Sequence, residues 1–168
     1  MLFDPSQAYT LPANLRPAYS VHARPSFLSN RASANIASLL QTVVDIILES
    51  NPRNPRHPVH KHGTPAYIIG QGSGAFNWSS VAEAIVAIPS SFNLVDPPLR
   101  DGFLTAVAGT DKSWTVIRYE APANTVTFMH CHINEHLFGG MAVVLLEGFD
   151  HLPPIPAQYL SFEEHGTF

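Results

Sequence analysis

Two short stretches of this 168-residue chain concentrate side chains that bind metals, HPVHKHG at residues 57–63 and HCHINEHLFGGM at residues 130–141. Nine histidines spread evenly along the chain would put fewer than one in the thirteen positions 57–62 and 130–136, and six stand there. An isolated histidine is ordinarily a hydrogen-bonded core or surface residue, and His22, His151 and His165 are read that way. The clustered ones are read as ligands. The chain has a single cysteine, Cys131, so no internal disulfide forms and the thiol's neighbours decide its role.

The spacing carries geometric content. Successive side chains on a strand point to opposite faces, so His130 and His132 project one way and Cys131 the other. Two imidazoles on one face suit a nitrogen-rich metal centre, while a thiolate on the opposite face ligates a separate metal through the same few backbone atoms. His60 and His62 likewise share a face, and His57, preceding them across Pro58, faces the other centre. Each motif thus feeds two sites, with the Cys131 backbone as a covalent path for electrons between them.

His136 follows the cysteine by five residues and Met141 by ten, with Gly139 and Gly140 allowing the backbone to turn back. One thiolate, two imidazoles and a weak axial thioether are the ligands of a blue-copper electron-transfer site, here Cys131, His57, His136 and Met141. Core packing is the competing role for Met141, which opens the apolar run MAVVLL. A Cys2His2 zinc finger needs a second cysteine, and a cupin-like iron or manganese site needs a carboxylate soon after its His-x-His pair. Neither is present, although Glu135 inside the second motif leaves a mixed site as the alternative.

These ligands need a scaffold of strands. The chain is 45% hydrophobic and only 13% charged, with 15 prolines and 10 glycines, which favours many turns and an all-β class over long helices. Val43 to Leu48 is a β-branched run typical of a buried strand, ending at Asn51-Pro52. Ala66 to Ile69 reads as a strand ended by the glycines at 70, 72 and 74. Ser79 to Ile88 has helical character with serine at its start and Pro89 closing it. Ser113 to Tyr119 alternates, with Trp114, Val116 and Arg118 on one face and Thr115, Ile117 and Tyr119 on the other. Val126 to His132 and Ala142 to Leu146 complete the set, joined by a loop that holds the rest of the second motif. Many short strands joined by turns predict a Greek-key β-sandwich or barrel with short helical segments in its loops. One domain over residues 33–160 is expected, after an irregular lead-in over 1–32 and before a tail at 161–168.

The net charge of −4 comes without a basic run, which argues against nucleic acid as a partner. No apolar window is long enough to span a membrane. The start, MLFDPSQAYTLPANL, lacks the basic and apolar regions of a signal peptide.

The two motifs resemble the third and fourth copper-binding signatures of laccases and related multicopper oxidases. The segments YIIGQGSGAFNWSS, SFNLVDPPLRDGF, WTVIRYEAPANTVTFMHCHI and GMAVVLLEG are similar to the C-terminal, third cupredoxin domain of ascomycete fungal laccases, the conidial-pigment type in particular. The resemblance runs from about Val43 to Tyr159. It implies a cupredoxin fold and a type 1 copper held by His57, Cys131 and His136 with Met141 axial. It further implies that His60 ligates the type 2 copper and that His62, His130 and His132 ligate the type 3 pair. In such enzymes the type 1 copper takes single electrons from phenols or similar reductants, and the trinuclear cluster collects four to reduce dioxygen to water.

The chain departs from the family pattern in three places. Thr64 stands where the family often has a histidine after the glycine, at a position that is not a ligand. Ala123-Asn124-Thr125-Val126 replaces the common aromatic and glycine approach to the fourth signature, which is expected to alter loop packing near the coppers. The trinuclear cluster of a laccase takes eight histidines from two domains, and this chain supplies four, half of a type 2/type 3 cluster. Activity therefore calls for another cupredoxin domain or a self-association partner. A mononuclear blue-copper carrier and an inactive truncated laccase remnant are the other two readings. The family is typically secreted or associated with the cell wall, and the location of this chain stays open.

Overall fold

The computed structural model describes residues 19–23, 35–38, 42–148, 152–154 and 156, the first two segments as backbone alone. The tail at 161–168, most of the 1–32 lead-in and the side chains of His22, His151 and His165 lie outside the described residues.

Among the described residues, ten strands form two five-stranded sheets. The first sheet has the order β1 (Tyr19–Ala23), β3 (Val43–Ser50), β8 (Ser113–Glu120), β5 (Ala66–Ser73), β6 (Leu99–Arg100). The second has the order β2 (Asn35–Ser38), β10 (Ala142–Glu147), β9 (Thr125–Cys131), β4 (Pro58–Lys61), β7 (Gly102–Leu104). Each sheet takes one early strand as a parallel edge, β1 against β3 and β2 against β10, and its other pairings are antiparallel. The expected all-β sandwich with short helices in its loops is the observed fold. The lead-in is not irregular throughout, however: β1 lies inside it, because pairing with the apolar β3 supplies an order that its own mixed composition does not encode.

Every residue of β3 is buried. Val44, Ile46 and Leu48 enter the cluster between the sheets, with Ile117 and Tyr119 from β8 and Val59, Met129 and Leu145 from the second sheet. Ile47 faces the other way, packing with Ile69, Trp114 and Val116 beneath the helix α1 (Val81–Ala87), which buries Val81 and Ala84. A strand covered on both faces needs no polar alternation, hence the continuous apolar run. The helix begins where the serines foretell: Ser80 Oγ accepts from Glu83 N–H at 3.1 Å, and Glu83 reaches back to Ser79 N–H at 2.9 Å.

The glycines at 70 and 72 do not end β5, which continues to Ser73. They make room for aromatic rings. A Cβ on Gly70 would come within 2.6 Å of the Phe92 ring, and one on Gly72 would collide with the Trp114 indole. Phe92 and Trp114 stack with centroids 5.5 Å apart, so neither ring has space to give. Gly72→Ala is expected to cost about 1–3 kcal/mol through this overpacking. Urea unfolding checks it, and an unchanged midpoint would contradict the packing described.

Among the described residues no helix is long and apolar enough to cross a membrane.

Candidate metal centre

Strand alternation in the second sheet separates two sets of candidate ligands. On β4, Val59 and Lys61 are buried while His60 is half-buried, and His62 just beyond the strand is exposed. On β9, Met129 and Cys131 face the sandwich core. The antiparallel register places Val59 opposite Cys131 and His60 opposite His130, which brings the two motifs side by side.

On the inner side, His57, Cys131 and His136 present donor atoms all within 4.8 Å of one another. The two Nδ1 atoms are 3.1 Å apart, and Cys131 Sγ lies 3.8 Å from His57 Nδ1 and 3.6 Å from His136 Nδ1. A triangle of that size suits one ion between its corners, since metal–nitrogen and metal–thiolate bonds run about 2.0 and 2.3 Å. His57 and Cys131 are buried and His136 is half-buried, so one corner reaches toward solvent. His57 is fixed through its backbone: its N–H donates to Thr105 Oγ1 at 2.9 Å, and its carbonyl accepts from Thr105 N–H at 3.0 Å. Burial, then the neighbouring His136 charge, holds the His57 pKa below its ordinary 6.5, which keeps its lone pair free for a metal.

The loop expected after Cys131 contains a short helix, α2 (Asn134–Phe138), which carries His136 back to the thiol. Gly140 then adopts φ +92°, the left-handed turn expected to need glycine. Met141 is drawn in through its backbone, its N–H donating to His136 O at 2.9 Å and its carbonyl accepting from Cys131 N–H at 3.0 Å. Glu135, the carboxylate of the mixed-site alternative, is exposed and is not among the converging donors.

On the outer side, His60, His62, His130 and His132 form a face of imidazoles with ring centroids 4.7–6.4 Å apart. His62 and His130 turn their Nε2 atoms toward each other at 3.3 Å. The His60 Nδ1–H donates to Asp101 O at 3.0 Å, and the His130 Nδ1–H donates to Cys131 O at 2.9 Å, which leaves both Nε2 atoms for a metal. Desolvation and the neighbouring His60 and His130 lower the His62 pKa from 6.5, again favouring the ligand form. The four rings spread across a surface instead of closing on one point.

Sequence reasoning missed the supports of both sites. Thr105, with its hydroxyl and N–H on the His57 backbone, and Asp101, with its carbonyl on the His60 ring, make contacts that leave no motif. Lys61 was readable, since strand period alone turns it away from the flanking histidines and into the core. One expectation is corrected: Ala123-Asn124-Thr125-Val126 does not border the ligands. It lies at the start of β9, where Thr125 pairs with Glu147 and Gly148 packs on Asn124, roughly 20 Å along the strand from Cys131.

Comparison with known proteins agrees with this fold. The multicopper oxidase elcG of Phaeosphaeria nodorum is 43% identical over 118 residues, 69% of this chain and 19% of that protein. The laccase abr2 of Aspergillus fumigatus is 36% identical over 159 residues, 90% of this chain and 26% of that protein. The crystal structure of the laccase from Botrytis aclada superposes with a TM-score of 0.56 at 27% identity, covering 76% of this chain and 22% of that one. The chain spans about a fifth of the length of relatives it matches. The family profile described as multicopper oxidase matches residues 5–150, and with this cupredoxin-like sandwich and its His–Cys–His triangle the chain belongs to the multicopper oxidase family.

Proposed function

We propose that residues 33–160 form the C-terminal cupredoxin unit of a laccase-type oxidase, with a type 1 copper site at His57, Cys131 and His136 and Met141 in the axial position. His60 would serve a type 2 copper, and His62, His130 and His132 a type 3 pair. Bound copper would supply one-electron oxidation of a phenol-like reductant and four-electron reduction of dioxygen to water. The observation that carries the reading is the end of β9, where one thiol meets two imidazoles on the inner side while the residues before and after it join the outer imidazole face.

The chain's own residues divide the work. His136, half-buried where His57 and Cys131 are buried, is the imidazole through which a reductant would reach the site. Thr105 and the Gly140 turn hold the donors in place without a metal, which lowers the reorganisation that an electron transfer requires. Cys131 links the two sites twice, through the chain to His130 and His132 and through its carbonyl to His130 Nδ1. The outer face supplies half of the ligands of a trinuclear cluster, and we infer that another cupredoxin unit docks there with the rest. Val126, 57% exposed on that sheet, and the half-buried Phe128 beside His62 give the face apolar area for such a partner.

Copper should raise the melting temperature at neutral pH. Binding to the folded form at a hundred times its Kd is worth about 2.7 kcal/mol. The rise should shrink in acid. His57 has a folded pKa below 6.5, so the unfolded chain takes up its proton first, and stability intact above 6.5 is lost as pH falls below it. Protons also compete with the metal for the same nitrogens. A melting temperature indifferent to copper at pH 7 would sink the proposal.

A second reading, a mononuclear electron carrier, is favoured by one observation: all three inner donors belong to this chain. Oxygen uptake separates the two. The oxidase reading expects none from the copper-loaded chain alone and uptake once a complementary histidine-bearing unit is added; the carrier reading expects none in either case.

A further inference from the structure

Lys61 and Glu147 are fully buried inside the sandwich, and the copper chemistry above makes no use of them. Lys61 stands between His60 and His62, aimed away from both. Its Nζ is 3.2 Å from Glu147 Oε1, donates to Thr64 O at 3.0 Å, approaches His62 O at 3.4 Å and sits 4.0 Å above the centre of the Tyr119 ring. The other Glu147 oxygen, Oε2, accepts from Thr127 Oγ1 at 3.0 Å. Thr127 in turn is the residue onto which the turn after His62 packs. Gly63 has φ +77°, and a Cβ there would come within 2.8 Å of the Thr127 methyl.

These contacts close a ring: Lys61 to the turn at 62–64, the turn to Thr127, Thr127 to Glu147, and Glu147 back to Lys61. Three strands contribute, β4, β9 and β10. The ring holds His62 from the carbonyl side, while its N–H donates to Phe128 O at 2.8 Å. What emerges on the outer face is an imidazole whose Nε2 is 3.3 Å from His130 Nε2. A buried ion pair adds little net stability over apolar residues of equal volume, whereas it does fix one arrangement of the backbone that it ties together.

We propose that Lys61, paired with Glu147, is a positioning residue that holds the His62 imidazole against His130 and so preorganises the outer metal face. The proposal rests on the copper-oxidase reading in treating those imidazoles as ligands. The geometry it explains belongs to the metal-free chain and is tested there first.

The experiment uses the full chain with Lys61→Met and with Lys61→Met combined with Glu147→Gln, the second variant leaving no stranded carboxylate should the first fail to fold. NMR on the metal-free proteins reads the nuclear Overhauser contact between the His62 and His130 rings and the amide exchange of Gly63 and Thr64. Zn2+ then serves as a redox-silent probe of the outer face, and the cupric blue band reports the inner site. In the double variant the ring contact should be lost and exchange should quicken. Zn2+ affinity should fall on the order of ten- to a hundred-fold while melting temperature and blue band stay near wild type. An unchanged ring contact with unchanged exchange would overturn the proposal, as would loss of the blue band and melting temperature together with it, the mark of a general structural role. A wild-type chain without a blue band would defeat the copper reading and leave the ring-contact comparison to decide this one.

Discussion

Replacing Cys131 with serine is expected to abolish the intense visible absorption of the copper-loaded chain while leaving copper bound to the outer imidazoles. The thiolate is the source of that absorption, and the chain has no second cysteine to replace it. A serine hydroxyl does not ionise near neutral pH and offers copper no comparable bond. The change is otherwise small: Cys131 is buried at the end of β9, its N–H bonded to Met141 O and its carbonyl to His130 Nδ1, and serine keeps both backbone contacts. His130 and His132 therefore keep their places. Loss of the band with partial retention of copper, read by absorption and metal analysis on the same sample, is the expected outcome. Complete loss of copper would argue against two separate centres.

The second large effect concerns the frame. Asp45 on β3 and Arg118 on β8 are direct cross-strand partners, both buried, joined by Nε–Oδ1 and Nη2–Oδ2 bonds of 2.6 and 2.8 Å. Arg118→Leu would leave the carboxylate buried without its guanidinium, a change that costs about 3–5 kcal/mol in comparable sites. Burial already pushes the Asp45 carboxyl above its ordinary 3.8 despite the arginine beside it, and with the arginine gone nothing opposes that push. A carboxyl raised in the fold favours the protonated state. The variant's deficit relative to wild type should then be smallest in acid and widen as pH rises past 3.8, the value in the unfolded chain. Asp45→Leu combined with Arg118→Leu removes both charges and should recover most of the loss. Denaturant midpoints across pH check this, and a single variant as stable as the double would contradict the account of the pair.

Much of this was legible in the amino-acid order, for reasons that differ by element. Val43 to Leu48 announced itself because both of its faces are covered, and Ser113 to Tyr119 because its two faces enter two different clusters, as the alternation of Trp114 and Val116 against Ile117 and Tyr119 indicates. The helix after Ser80 showed in its cap. The edge strands did not. Tyr19–Ala23, Asn35–Ser38, Leu99–Arg100 and Gly102–Leu104 are two to five residues long, too short for a period, and exist through the neighbours they pair with. Gly70 and Gly72 misled because a glycine that ends a strand and one that admits an aromatic ring look alike in one dimension.

At the site, the separation of Cys131 from His130 and His132 followed from strand geometry alone, and the turn that brings Met141 back showed in Gly139 and Gly140, whereas the helix that carries His136 to the thiol did not show. What the order of residues could not carry was the third dimension around those ligands. Thr105 holds His57 from 48 residues away, and Glu147 meets Lys61 from the far end of another strand. Such contacts depend on which strands lie side by side in the second sheet, β7 beside β4 and β9 between β4 and β10, which no local period records.

The most direct test of the central claim is to load the chain with copper, oxidise it in air, and measure bound copper per chain together with the visible spectrum. The account predicts an intense blue band and about one tightly held copper per chain, centred on His57, Cys131 and His136, with further copper held more weakly by the outer imidazoles. A chain with no blue band and no bound copper would contradict it.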